Sequence, residues 1–273
     1  MGKVQWVMRL LMCSPDLFDV TYEINAWMKI VNKPDLDKAR VQWHALRHIL
    51  AHEIRADVHL LTPQPGWPDM VFTANAGIAR GNVFVPSRFR FAERQGEVPF
   101  FADWFAAHGF RIMPLPDGVP GAFEGEGDAL FFGDVLLAGH RQRSDESVYA
   151  SLGDILGCRV VPLELTDTRW YHLDTCLIPI RADLLAYYPP AFDAAANAVL
   201  EALPADKILL TEPDALRFGG NAVVLGDQIV MNTGCDTLRI ALEARGCTVF
   251  ATDLSEFLKS GGSAKCLTLV LDH

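Results

Sequence analysis

ALFFGDVLLAG, residues 129–139, is two apolar runs split by a Gly-Asp pair. Gly-Asp is turn chemistry, because glycine reaches the positive φ that a two-residue hairpin turn demands. The stretch therefore predicts a β-hairpin. The same plan returns at 77–85 (GIARGNVFV), 176–188 (CLIPIRADLLAYY) and 222–232 (AVVLGDQIVMN), with turns at Gly81-Asn82, Ala182-Asp183 and Gly226-Asp227. Four hairpins of one plan in 273 residues mark an internal repeat.

Helical periodicity surrounds the hairpins. Apolar residues at i, i+3 or i+4 spacing predict helices near 35–54, 99–108, 144–156, 190–203 and 236–245. In the first of these Trp43, Leu46, Leu50 and Ile54 share a face. Ser144 with Asp145 and Glu146, and Asp236, read as helix starts; Gly109 and Gly157 read as stops. A short strand-like run follows each helix, at 57–61, 111–115, 159–163, 207–211 and 248–252. A fifth hairpin forms if CLTLVLDH (266–273) pairs with VQWVMRLLMC (4–13). One unit of strand, loop, hairpin and helix thus recurs five times, with a period of roughly 40–55 residues, and the termini meet inside one unit. Closing the ring removes exposed end faces. The reading is an α/β fold: a single-domain, five-bladed α/β propeller of ββαβ-type repeats over residues 1–273. An open α/β sandwich with accidental spacing is the alternative.

Composition narrows the partners. Half the residues are apolar, and 24 Lys+Arg against 34 Asp+Glu give a formal charge of −10. A phosphate-backbone binder would need a basic stripe, so nucleic acid is not expected. No apolar run approaches the ~20 residues of a membrane span. The opening MGKVQWVMRLLMCSPD has no small-residue cleavage site and reads as a core strand. Six cysteines without a CxxC pair suggest reduced thiols in a cytoplasmic compartment. Self-association is left open.

In a pseudo-symmetric ring equivalent loops converge, so the loops entering the hairpins are the ones to compare. They read GWPDMVFTANA (66–76), PGAFEGEGDA (120–129), DTRWYHLDTC (167–176), ALRFGGNA (215–222) and SGGSAKC (260–266). They deliver Asn75, Glu124 with Asp128, His172 with Asp174, Asn221 and Cys266. A cysteine, a histidine and several carboxylates at one centre suit covalent thiol catalysis. Each residue also has a plainer explanation. Cys266 could be a small buried hydrophobe, although the SGGSAK flank permits close approach to a ligand and Lys265 could favour thiolate. His172 could be structural. The alternation that puts His172, Asp174 and Cys176 on one strand face could also be read as metal ligands, yet no second His or paired Cys completes a set. The glycines around Glu124 could form only a turn; no nucleotide-binding GxGxxG or GK[ST] is present.

At these residues the chain resembles the pentein superfamily of guanidine-modifying enzymes. PDMVFTANA is similar to the first substrate-binding loop of that superfamily, FEGEGD to its acidic loop, YHLDTC to its histidine motif and SGGSAKC to its terminal nucleophile motif. Where deiminases and dimethylargininases carry acids in the first loop, this chain has Ala74 and Asn75. With HxD and FEGxGD, that pattern looks most like arginine dihydrolase, which converts L-arginine to ornithine, two ammonia and carbon dioxide. Arginine deiminase and dimethylargininase are the alternatives within the fold. A non-catalytic propeller that only binds a partner, and a metal-dependent amidinohydrolase, are the alternatives outside it.

The resemblance implies Cys266 as nucleophile, His172 as general acid and base, and Glu124 as its carboxylate partner, with Glu126 the competing candidate. Asp174, Asn75, Asn221 and Asp128 would bind substrate. Arg88 and Arg143 match positions that would take the substrate carboxylate. Asn25, with Asp16, lies in a segment that could fold over the pocket and hold the α-amino group, while Asp69 reads equally as structural or catalytic. The implied partner is a small molecule, with no metal and no cofactor.

Overall fold

Each hairpin feeds a helix that carries the chain back beside the hairpin's second strand. The structure, a computed structural model, describes residues 7–273. Among these, fifteen strands make five three-stranded sheets. In chain order β1 (Arg9–Cys13) and β2 (Asp57–Leu61) belong to one blade. The next holds β3 (Gly77–Arg80), β4 (Val83–Pro86) and β5 (Arg111–Ile112). A third holds β6 (Ala129–Phe132), β7 (Val135–His140) and β8 (Arg159–Glu164). The fourth has β9 (Leu177–Arg181), β10 (Leu184–Tyr187) and β11 (Asp206–Leu209). The fifth has β12 (Val223–Leu225), β13 (Gln228–Asn232) and β14 (Thr248–Thr252), and β15 (Leu269–Val270) then returns to the first blade.

The middle strand of every sheet is antiparallel to one neighbour and parallel to the other. That is the ββαβ repeat, with the helix as the crossover that parallel strands require. Ring closure lies in the first blade, where Leu10 faces Val270 and Leu11 faces Leu269 in antiparallel register. Residues 4–6 of the strand expected there fall outside the described residues. Inner strands stand side by side around the axis, β15 next to β3 and β9 between β6 and β12. The fold is a five-bladed α/β propeller.

Sequence periodicity maps onto burial. In helix Leu36–His48, Asp35 caps the start by accepting from the amides of Asp37 and Lys38. Trp43, Leu46 and Leu50 are fully buried, each contributing about 1.5–3 kcal/mol of transfer free energy. Gly81, Gly133 and Gly226 hold φ of +57°, +57° and +64°, as their turns need. The Ala182-Asp183 turn has no residue at positive φ, and its hairpin slips register between Leu184 and Leu185.

Several boundaries differ from expectation: the last strand is only Leu269–Val270, the first helix becomes a π-helix after His48, and the helix expected from 190 starts at Ala194. The strand expected at 111–115 stops at Ile112; Pro114 cannot donate to the ladder. The helix expected from Ser144 begins at Tyr149 after a 3-10 turn, and the Ser144 hydroxyl caps nothing. It donates instead to Asp128 Oδ2 at 2.7 Å and accepts from the Glu124 amide at 3.0 Å. A residue read as a helix start is a brace for the polar centre.

Candidate active site

Three blade entrances are 3-10 turns set just before the inner strand: Thr73–Ala76 before β3, Gly125–Gly127 before β6 and Leu173–Thr175 before β9. Asn, Asp, Thr and Gly favour such turns by bonding locally or relaxing the backbone. These turns aim side chains at the axis. There a narrow cavity is lined by Asn25, Asp69, Asn75, Arg94, Arg143, Tyr171, His172 and Cys266, among others.

Cys266 is 2% exposed, and its Sγ donates to Asp174 Oδ2 at 3.3 Å. Asn221 grips the Cys266 loop: Nδ2 reaches Sγ at 3.0 Å, and Oδ1 accepts from the amides of Cys266 and Ser263 at 3.0 and 3.1 Å. Burial, and then the Asp174 charge, push the Cys266 thiol well above its ordinary range. The resting group is therefore a thiol. The Lys265 ammonium does not make it a thiolate, being paired with Glu126 at 2.6 Å. Burial also pushes Asp174 up to about 7, against the opposing pull of Lys265. Asp174 Oδ1 is buried without a hydrogen-bond partner.

His172 lies across the cavity, with Nε2 2.9 Å from Glu124 Oε2. Glu124 is fully buried and also takes Arg143 Nη1 at 2.8 Å. Burial opposes its ionisation, but the Arg143 charge and the His172 hydrogen bond win and hold it far below the usual carboxylate range. Glu126, the competing candidate, points the other way, to Lys265 and His273. Asn75 approaches His172 Nδ1 through Nδ2 at 3.5 Å, while its Oδ1 accepts from Arg94 Nη1 at 2.8 Å. A guanidinium only donates, so Arg94 fixes which end of the amide faces it. The Asn75 NH₂ therefore turns to His172 Nδ1, and the imidazole proton sits on Nε2 toward Glu124.

Other expected residues play different parts. Asp128 does not line the cavity: it accepts from Ser144 and from the Leu173 amide, and holds the His172 turn. Burial pushes it up to about 6. Asn221 holds Cys266 by its thiol and its amide. Asn25 lines the cavity, but its Oδ1 accepts from the amides of Trp27 and Met28 and its Nδ2 donates to the Ser260 carbonyl. It latches the 22–28 segment over the pocket. Asp16 pairs with Arg40, outside the cavity. Arg88 is not brought to the cavity; it donates to the carbonyls of Leu115, Pro116, Val119 and Gly121 and staples that loop. His172, Asp174 and Cys176 share no strand face, since Asp174 lies inside the 3-10 turn Leu173–Thr175 that the other two flank, and the Cys176 thiol points at backbone carbonyls.

The second cavity guanidinium belongs to Arg94, which the sequence reading passed over. Arg94 is 3% exposed, makes a two-pronged pair with the fully buried Glu97 at 2.8 Å, and caps the Asp69 carbonyl. Its spacing of three from Glu97 was the available signal, and such pairs usually read as a solvated helix face. Asp69 takes Tyr22 Oη on Oδ2 at 2.9 Å, and its Oδ1 is buried without a partner.

Gly127 makes this convergence possible. A Cβ there would lie 2.2 Å from Asn75 Nδ2 and 3.2 Å from His172 Nδ1. Gly127→Ala is expected to lower kcat by about 10–100-fold through displacement of either side chain. Steady-state kinetics and a thermal melt of the same preparation check it; the melting temperature should fall far less than activity does.

Comparison with known proteins identifies the family. The family described as "N,N dimethylarginine dimethylhydrolase, eukaryotic" matches residues 17–271. The chain is 47% identical over 266 residues to the bifunctional arginine dihydrolase/ornithine cyclodeaminase ArgZ of Synechocystis sp., covering 96% of this chain and 37% of that protein. It thus spans little more than a third of that relative. It is 41% identical over 261 residues to the N(G),N(G)-dimethylarginine dimethylaminohydrolase of Mycobacterium tuberculosis, covering 96% of this chain and 85% of that one. A crystal structure of an N-terminal domain variant of ArgZ, covalently bound to a reaction intermediate, superposes with a TM-score of 0.91 at 45% identity, covering 97% of each chain. The chain belongs to the dimethylarginine dimethylhydrolase family of the pentein superfamily.

Proposed function

We propose that the protein is a cysteine-dependent hydrolase of the guanidinium group of L-arginine, and that it acts as an arginine dihydrolase. The observation that carries the reading is a cavity lined by both Cys266 and His172, with Asp174 behind the sulfur and Glu124 behind the imidazole. An Asp174 oxygen buried without a partner is costly unless a donor satisfies it, and a guanidinium N–H does. At the other end Asp69 Oδ1 suits an α-ammonium. Arg143 and Arg94 suit an α-carboxylate, each retaining donor capacity beyond its protein bonds.

In this reading the substrate's positive charge replaces solvent and lowers the thiol's cost of ionising. As arginine enters, the thiol proton is released and His172 Nδ1 takes one up. Sγ then attacks the guanidinium carbon, His172 passes its Nδ1 proton to the leaving nitrogen, ammonia departs, and an S-alkylthiouronium remains. Water activated by His172 then gives enzyme-bound citrulline and frees the thiol. Citrulline's ureido oxygen needs a donor, and the Asn75 NH₂, set by Arg94, supplies one. A second attack releases the second ammonia; hydrolysis of the thiocarbamate gives a carbamic acid that falls to ornithine and carbon dioxide. Arginine and two waters balance ornithine, two ammonia and carbon dioxide. The ArgZ relative, named an arginine dihydrolase, and the covalent intermediate on its N-terminal domain support both the substrate and the covalent course. Free thiols suit a cytoplasmic setting, and the whole of residues 1–273 serves as one catalytic unit. No helix of the described residues is long and apolar enough to cross a membrane.

Dimethylarginine is the competing substrate, favoured by the family description. Two methyl groups on a terminal nitrogen would remove the N–H donors that Asp174 needs. A site built around such bonds rejects an analogue lacking them by ~10⁴-fold. The expected result is two ammonia and one ornithine per arginine, no urea, and kcat/KM for N,N-dimethylarginine lower by at least about 10³-fold. Release of one ammonia with accumulating citrulline would make the protein a deiminase. Faster release of dimethylamine than of ammonia would make it a dimethylargininase.

A further inference from the structure

The two arginines of the cavity are held in different ways. Arg94 is fixed by both oxygens of one carboxylate, Glu97, at 2.8 Å each. Among the described residues Arg143 has no such fork. Its Nη1 donates to Glu124 Oε2 at 2.8 Å and its Nη2 to the Ile24 carbonyl at 3.0 Å. Single bonds to two separate acceptors leave a planar guanidinium free to rock, where a bidentate pair would not. Aromatic rings take up that freedom. The guanidinium carbon lies 4.8 Å from the centre of the Phe91 ring and 4.9 Å from that of Tyr171. A cation over a ring face is attracted by the ring quadrupole, most strongly where water is excluded, and Arg143 is buried.

The Tyr171 ring is itself held in place. Its Oη donates to the Gly261 carbonyl at 2.7 Å, in the loop that leads to Cys266. Gly261 has φ +78°, and a Cβ there would stand 2.9 Å from Tyr171 Cε1 and 3.0 Å from Oη. Glycine at this position lets the ring pack directly on the loop backbone. Tyr171 and Arg143 both line the cavity. We propose that Tyr171, with Phe91, is a positioning and specificity-determining residue: packed on Gly261, its ring sets the plane of Arg143, so that the N–H groups this guanidinium retains beyond its protein bonds meet the carboxylate of an α-amino-acid substrate. The Glu124 oxygen that takes Arg143 also takes His172 Nε2. The arginine that reads the substrate's far end is therefore held by the same oxygen that orients the proton-transfer group.

The inference rests on the arginine reading for the identity of that carboxylate. Its test compares L-arginine with L-argininamide, which keeps the guanidinium and the α-amino group but carries a neutral amide in place of the carboxylate. Both are titrated by calorimetry into Cys266→Ser protein, where binding is measured without turnover, with Tyr171 native or replaced. With Tyr171 native, arginine is expected to bind at least about tenfold more tightly than the amide. Tyr171→Leu is expected to cut that ratio about fivefold or more, and Tyr171→Phe, which keeps the ring, to leave it close to the native value. A ring needed only for packing would weaken both ligands alike and leave the ratio unchanged, and that result overturns the proposal. An equal loss in Tyr171→Phe overturns it too, because the hydroxyl rather than the ring would then be responsible. If Tyr171→Leu does not fold, Phe91→Leu, at a half-buried position, decides: a lower ratio supports the aromatic seat, an unchanged one ends it. A native ratio near one is a different failure. It means that the cavity reads no carboxylate, and the arginine reading falls together with the proposal. A high native ratio that Tyr171→Leu leaves intact ends the proposal and spares the reading.

Discussion

Cys266→Ser is expected to lower kcat on arginine by at least about 10⁴-fold while arginine still binds. The argument starts from the resting state of the sulfur. Burial and the Asp174 charge keep it protonated, so the site stores no reactive thiolate for stray electrophiles. Reactivity arrives with the substrate, whose cation neutralises Asp174 and offers the sulfur an electropositive carbon. A serine oxygen gains the same geometry but is far harder to ionise, and this cavity has no strong base against it. His172 is tied to Glu124 through Nε2 and stands across the pocket from Cys266. Binding should survive, because Asp174, Asp69, Arg94 and Arg143 are untouched. Single-turnover ammonia release with calorimetric arginine binding measures both halves. A serine variant retaining a tenth of the native rate would rule out covalent catalysis through this residue.

How far the sequence could lead is clearest from particular residues. Hairpin turns and helix periods gave the repeat count because both are local signals, and the four Gly- or Asp-marked turns needed no tertiary information. Blade entrances were legible for the same reason: Asn75, His172, Asp174 and Cys266 all sit within a few residues before an inner strand, and pseudo-symmetry brings such entrances together. What failed was anything decided by which way a long side chain turns. Arg88 and Arg94 lie six residues apart in one polar stretch. Only the fold sends the first to loop carbonyls and the second, with Glu97, into the interior. Ser144 read as a helix cap because its neighbours are acidic, yet tertiary packing spent its hydroxyl on Asp128. Glu124 and Glu126 are separated by one residue and face opposite ends of the axis, since Gly125, at φ +60°, turns the chain between them.

The same geometry assigns the proton-handling pair an order. His172→Ala is expected to lower kcat by about 10²–10⁴-fold, since one imidazole must both protonate the leaving nitrogen and activate water. Glu124 touches no cavity atom directly; it holds Nε2, and so leaves Nδ1 as the nitrogen that exchanges protons with substrate. Glu124→Gln keeps a partner for Arg143 but withdraws the charge that stabilises the imidazolium, and should cost less than loss of the imidazole itself. Because Glu124 acts through His172, the double variant His172→Ala/Glu124→Gln should be no slower than His172→Ala alone. Multiplying losses would mean that Glu124 meets substrate or water independently. Glu124→Ala is unsuitable for the comparison: it strands Arg143, 3% exposed, without its carboxylate, at a stability cost of about 3–5 kcal/mol. Denaturant unfolding should show that loss in the alanine variant and only a small part of it in the glutamine variant. Rates of ammonia release from the four-protein cycle, with unfolding measured on each, separate the catalytic part of Glu124 from its part in holding the buried arginine.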